Sequence, residues 1–264
     1  MTMPAETAAP PPARRRSSGG AMMLAVKALL KGTKLVKIGL IGASVLAYSA
    51  LYTWEFAIVL TAAIVIHEFG HVLAMRRLGI PTRGLFLIPF FGGVALGNRA
   101  NTARQEAIVA GAGPGFGLLS LLPLLAAYMI TGAPKWAAYG GFVALVNLFN
   151  LLPIGILDGG RLLRAILSSV DRRLAWLGTA LGLAFGLALV VAMHAYVLAL
   201  VIVFSALELV GERRRGLPGV VPMTMGQVAV AFAAYLALGL AFGTVIEAVA
   251  IVPGAGLPRF MLQD

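Results

Sequence analysis

Seven runs of apolar residues, each close to the length of a membrane span, constrain this chain more than any other feature of its sequence. They lie at about 36–52, 54–75, 107–130, 136–156, 174–193, 196–210 and 224–252. The hydrocarbon core of a bilayer is about 30 Å thick, and an α-helix of about 20 residues crosses it with every backbone group satisfied. Hydrophobic residues make up 60% of the chain and charged residues only 12%, against about 25% charged in soluble domains. The expected fold is therefore an all-α polytopic membrane protein with six or seven transmembrane helices. No proline marks a boundary inside 174–210. One unbroken helix there would be about 55 Å long, so a tight hairpin near His194 is expected.

The distribution of positive charge sets an orientation. With the N-terminus on the cytoplasmic side, all of the 21 Lys and Arg residues except Lys135 and Arg259 fall on that side, as the positive-inside rule requires. The net charge of +11 then has a topological origin, and no nucleic-acid partner is expected. Residues 1–21 are rich in Pro and Ala, carry Arg14 to Arg16, and have no apolar signal-peptide core. They read as a disordered cytoplasmic tail, followed by a membrane core at 22–215 and an additional C-terminal transmembrane segment with a short tail at 216–264. The chain has no cysteine, which removes disulfides, thiolate metal ligands and a cysteine nucleophile together.

Between the second and third runs, residues 84–98 (GLFLIPFFGGVALGN) are too few to cross a membrane as a helix and too apolar for an ordinary loop. One reading is a short re-entrant β-hairpin turning at Gly92 and Gly93, which at membrane depth must be covered by protein or line a wet cavity. The other is an interfacial loop with buried phenylalanines.

The second run ends in His67-Glu68-Phe69-Gly70-His71. Histidines four apart share one face of a helix, about 6 Å apart along its axis, so both can reach one tetrahedral zinc. Glu68 follows His67 by about 100°, close to the metal without competing as a ligand, as the general base of an H-E-x-x-H site requires. Two histidines merely hydrogen-bonded to neighbouring helices would explain neither the Glu nor the spacing, and an ionisable cluster inside a membrane segment points to function.

A catalytic zinc takes three protein ligands and keeps a fourth position open. His194 is expected at the opposite end of the bundle from the His67–His71 pair. Asp158 is better placed, in Asn150-Leu-Leu-Pro153-Ile-Gly-Ile-Leu-Asp158-Gly159-Gly160-Arg161. Pro153 is expected to break the helix and Gly159-Gly160 to permit a turn that brings the carboxylate to the metal. A plain helix stop, with Asp158 paired to Arg161, is the competing reading. The patterns Gly111-x3-Gly115 and Gly182-x3-Gly186 read as close helix packing.

At these residues the sequence resembles the site-2 protease family of intramembrane zinc metalloproteases, peptidase family M50. The resemblance covers about 54–164 and includes Phe91-Gly92-Gly93 and the small-residue stretch 111–117. It implies one zinc per chain held by His67, His71 and Asp158, with Glu68 catalytic. It also implies that Asn150, Gly92 and Gly93 bind the substrate, Asn150 holding the extended chain or the developing oxyanion. The implied substrates are transmembrane proteins taken from the lipid bilayer and cut near its cytoplasmic side. The implied location is a bacterial inner membrane, with room for a regulatory partner. The chain departs from larger members in leaving no space for a PDZ domain after the hairpin and in continuing past Arg215 into a seventh apolar run rather than a nucleotide-binding domain. Two other functions remain open at this point: a non-catalytic membrane scaffold or chaperone that keeps the site for structure, and a metal-ion transporter. Transporters usually show internal repeats and several polar groups along a path, and the sequence offers neither.

Overall fold

The computed structural model describes residues 34–90, 92–194, 196–215 and 220–256, so the tail expected at 1–21 lies outside it. The described chain is a helical bundle interrupted by a single hairpin. In order, it comprises α1 (Lys34–Ser49), α2 (Trp54–Arg77), β1 (Thr82–Ile88), β2 (Gly92–Gly97), α3 (Ala103–Thr131), α4 (Pro134–Asn150), α5 (Asp158–Val170), α6 (Arg172–Met193), α7 (Tyr196–Arg215) and α8 (Met225–Ala250). Among the described residues, α2, α3, α8 and 172–192 of α6 are long and apolar enough to cross a membrane. At 16 and 17 residues, α1 and α4 extend about 24 and 25 Å, and the apolar stretch Leu198–Leu207 of α7 is shorter still.

Helix α2 is the central element because both of its ends are fixed and most of its faces are covered. The Thr53 hydroxyl accepts from the Phe56 amide at 3.4 Å, Glu55 sits in the first turn and Arg76 and Arg77 in the last, each charge complementing the helix dipole. At the C-terminus Gly79 takes φ 71°, its amide donates to Arg76 O and the Ile80 amide donates to Met75 O. This is the Schellman arrangement, with Ile80 and Met75 packed in the same apolar cluster. Small residues let α3 approach closely: a Cβ on Gly70 would lie 2.5 Å from Ala112 O.

The hairpin expected from 84–98 is present, but its turn is not at Gly92-Gly93. Ile88 pairs with Gly92 and Leu87 with Gly93, so both glycines belong to β2. The reversal begins at Pro89 and at Phe90, whose φ of 65° is unusual for a residue with a Cβ. An edge-on contact with Tyr48 of α1, 5.7 Å between ring centroids, holds Phe90 there. The Lys37 ammonium of α1 also donates to Arg83 O and lies 4.7 Å from the Phe86 ring centroid, so α1 is pinned to the hairpin at two places.

Three further expectations shift. The fourth apolar run stops being helical at Asn150, before Pro153, and 151–157 form an irregular connection. Gly159 and Gly160 are not a turn but the first turn of α5. They are needed there for clearance, since a Cβ on Gly159 would strike Leu151 O and one on Gly160 would lie 2.6 Å from the Ile154 carbonyl carbon. The α6–α7 hairpin near His194 is as expected, with His194 itself at φ 53°. The small-residue pair Gly182 and Gly186 packs against Pro153, Ile154 and Ile202. In α3, however, Gly111 and Gly115 face open space, and Gly113 and Gly117 are the glycines in close contact.

Helix α8 packs into the same bundle. Phe242 is fully buried with Phe56, Tyr139 and Val143, and the Tyr235 hydroxyl donates to Leu151 O at 2.8 Å, where α4 ends.

Candidate metal centre

Three helices meet at one point. Helix α2 brings His67 and His71, α5 brings Asp158 as its first residue, and α3 closes the space with glycine. His67 Nε2 lies 3.0 Å and His71 Nε2 3.2 Å from Asp158 Oδ2, and the two imidazole nitrogens are 3.2 Å apart. All three residues are buried. Among the described residues they form a group whose donor atoms can hold one metal ion.

The chemistry of this donor set suits a cation. Asn147 Oδ1 lies 2.8 Å from His67 Nδ1, and Val109 O lies 2.7 Å from His71 Nδ1. Carbonyl oxygens only accept, so each Nδ1 carries the proton and each Nε2 turns a lone pair inward. Two lone pairs and a carboxylate then face one another at separations near the tetrahedral edge of about 3.3 Å that Zn–N and Zn–O bonds of about 2.0–2.1 Å produce. His194 lies at the α6–α7 turn, apart from this group.

Clearance is as specific as the donors. A Cβ on Gly113 would strike His71 Nε2 and come within 2.7 Å of His67 Nε2. Gly113→Val is therefore expected to abolish metal binding at this group. Gly111→Val, on the open side of the same helix, is expected to leave it intact, and elemental analysis of the two purified variants makes the comparison.

The two carboxylate oxygens of Asp158 face different partners. Oδ2 faces the histidines, while Oδ1 lies 3.5 Å from Arg161 Nη1, and Arg161 Nε donates to Glu106 Oε1 at 2.8 Å. The position at the start of α5 also favours an ionised carboxylate through the helix dipole. Arg161 thus links the carboxylate to the first turn of α3.

Beside this group is a cavity of about 120 Å³ lined by residues that include His67, Glu68, Gly92, Gly93, Asn147 and Asn150. Glu68 is buried and packs against β2 so closely that a Cβ on Gly93 would strike its side chain. Asn150 and the two hairpin glycines therefore share one cavity with Glu68, although Gly92 and Gly93 reach it as strand residues. Sequence reasoning missed Asn147. Its signal was a second amide one turn before Asn150 in an apolar run, which is costly unless it has a partner.

Buried His, His and Asp around one point, next to a buried Glu, form a candidate metal site in an integral membrane protein. The family description of peptidase family M50 matches residues 55–134 and 125–193, and the chain belongs to that family. It is similar to "Putative zinc metalloprotease Rip3" of Mycobacterium tuberculosis, 34% identical over 134 residues that make up 46% of this chain and 34% of that protein. It is also similar to "Zinc metalloprotease MJ0392" of Methanocaldococcus jannaschii, 31% identical over 133 residues, 49% of this chain and 39% of the other. A third relative, "Putative zinc metalloprotease sll0528" of Synechocystis, is 32% identical over 145 residues, 48% and 38% of the two chains. The chain thus spans little more than a third of the length of these curated relatives.

Proposed function

We propose that this protein is an intramembrane zinc metalloprotease that cuts transmembrane segments of other proteins near the cytoplasmic side. The observation that carries the reading is the inward convergence of His67 Nε2, His71 Nε2 and Asp158 Oδ2 beside a cavity that holds Glu68. The names of the relatives support zinc as the metal.

His67, His71 and Asp158 would hold one zinc ion, which supplies a Lewis acid and brings the pKa of water towards about 7. Glu68 takes a proton from the attacking water as its oxygen bonds to the scissile carbonyl carbon, then delivers that proton to the amine nitrogen as the C–N bond breaks. Asn150, on the wall of the same cavity, offers an amide to the extended substrate backbone or to the developing oxyanion. Gly92 and Gly93 lack side chains and let that backbone come close. A helical substrate must unwind first, because its own hydrogen bonds shield the scissile bond.

In this reading α1, α4 and α7 also cross the membrane, the N-terminus is cytoplasmic, and the host membrane is a bacterial inner membrane. Incubation of the purified chain with a model transmembrane peptide tests the proposal and separates it from the scaffold and transporter readings. Cleavage that stops with a zinc chelator and returns with zinc is expected. A zinc-loaded chain that leaves every such peptide intact would favour a scaffold or a transporter.

A further inference from the structure

Three helices shape the metal centre with their own ligands or glycines, but one side chain from a fourth reaches it as well. Asn147 of α4 is buried, with 2% of its surface exposed. Its Nδ2 donates to Val143 O at 2.8 Å, which uses the donor end of the amide within its own helix. Oδ1 is left pointing at His67 Nδ1, 2.8 Å away. Gly117 of α3 closes the other side, where a Cβ would strike Asn147 Oδ1, so the amide has no room to rotate away.

We infer that Asn147 is a positioning residue that sets the tautomer and ring orientation of His67. An amide oxygen can only accept, so His67 must carry its proton on Nδ1 and present Nε2 as a lone pair to the metal. The same task at His71 falls to the backbone carbonyl of Val109, which no substitution removes. Asn147 is therefore the half of the arrangement that a side-chain change can test. Partners of this kind usually contribute about 10- to 100-fold to metal affinity. The role is distinct from that of Asn150, one turn later, which lines the cavity and faces the substrate in the reading above.

The inference rests on the proposed metal site, and the test keeps the two apart. Zinc affinity of the full chain in detergent is measured by competition with a chelator for the wild type, His71→Ala, Asn147→Leu and Asn147→Asp. The wild type should hold one zinc and His71→Ala should lose it. Asn147→Leu, similar in size with no acceptor, should bind about 10- to 100-fold more weakly. Asn147→Asp keeps an acceptor oxygen and should bind as tightly as the wild type or more so. A wild type that binds no zinc, or His71→Ala that binds normally, overturns the metal site and this role with it. If His71→Ala fails but Asn147→Leu binds like the wild type, only the positioning role is overturned. Equal weakening in Asn147→Leu and Asn147→Asp also overturns it, since the bond to Val143 O would then be the one that matters. Should Asn147→Leu fail to fold, magnetic resonance of the zinc-loaded wild type with ¹⁵N-labelled histidine decides the question. His67 should show zinc on Nε2 and a hydrogen-bonded proton on Nδ1, and zinc on Nδ1 would overturn the assignment.

Discussion

Glu68→Gln is expected to keep the fold and one zinc per chain while lowering peptide cleavage by about 10²- to 10⁴-fold or more, the usual contribution of a general base. The amide has the shape of the carboxyl group and cannot take a proton from water. The surroundings leave little room for a substitute. Glu68 is buried and wedged against Gly93, so the Gln side chain should occupy the same place. Of the other carboxylates, Asp158 turns Oδ2 to the histidines, and Glu106 accepts from Arg161 Nε at 2.8 Å. Chelator competition and turnover, measured on one preparation, separate the two effects. Retained turnover with zinc bound would assign the proton transfer to another group.

His67→Ala and His71→Ala are expected to take zinc content from about one per chain to none and to remove activity with it. Two remaining ligands cannot hold a metal in a site built for three. The fold should survive, because α2 is fixed by its cap at Thr53, its Gly79–Ile80 terminus and close packing at Gly70, none of which uses an imidazole. Elemental analysis after dialysis, with helical content followed in parallel, reads both. Full zinc occupancy in either variant would place the metal elsewhere.

The parts of the site that were legible in the sequence are those fixed by short spacing. His67, Glu68 and His71 lie within one helical turn and a half, so one face follows from the period alone. Asp158 was legible as the one carboxylate flanked by a helix-breaking Pro153 and a glycine pair. What escaped depended on neighbours. Glycine recurs at 111, 113, 115 and 117, and only the neighbouring helices, α2 beside Gly113 and α4 beside Gly117, select those two as the contacts. The glycine pair at 92–93 resembles a turn, yet pairing with Leu87 and Ile88 absorbs it into β2, while Phe90, steadied by Tyr48, takes the left-handed conformation. Asn147 and Asn150 cannot be told apart by composition. Both line the cavity, and they separate only once Asn147 Oδ1 is seen 2.8 Å from His67 Nδ1.

The depth of the metal site sets where a substrate is cut. His67 lies nine residues before Arg76, about 13 Å along the helix axis from the basic end of α2, and Asp158 and Arg161 approach from that same end. A substrate with a single transmembrane segment of known orientation, placed with the zinc-loaded chain in one bilayer, should be cut inside the cytoplasmic half of that segment. Helix-weakening Gly, Asn or Pro near the bond should speed the reaction. The masses of both fragments locate the cut. Fragments ending within the cytoplasmic half, seen with the wild type and lost with Glu68→Gln, are the predicted result. A cut outside the segment or in its outer half, or fragments that persist with Glu68→Gln, would rule out cleavage by Glu68 at this depth.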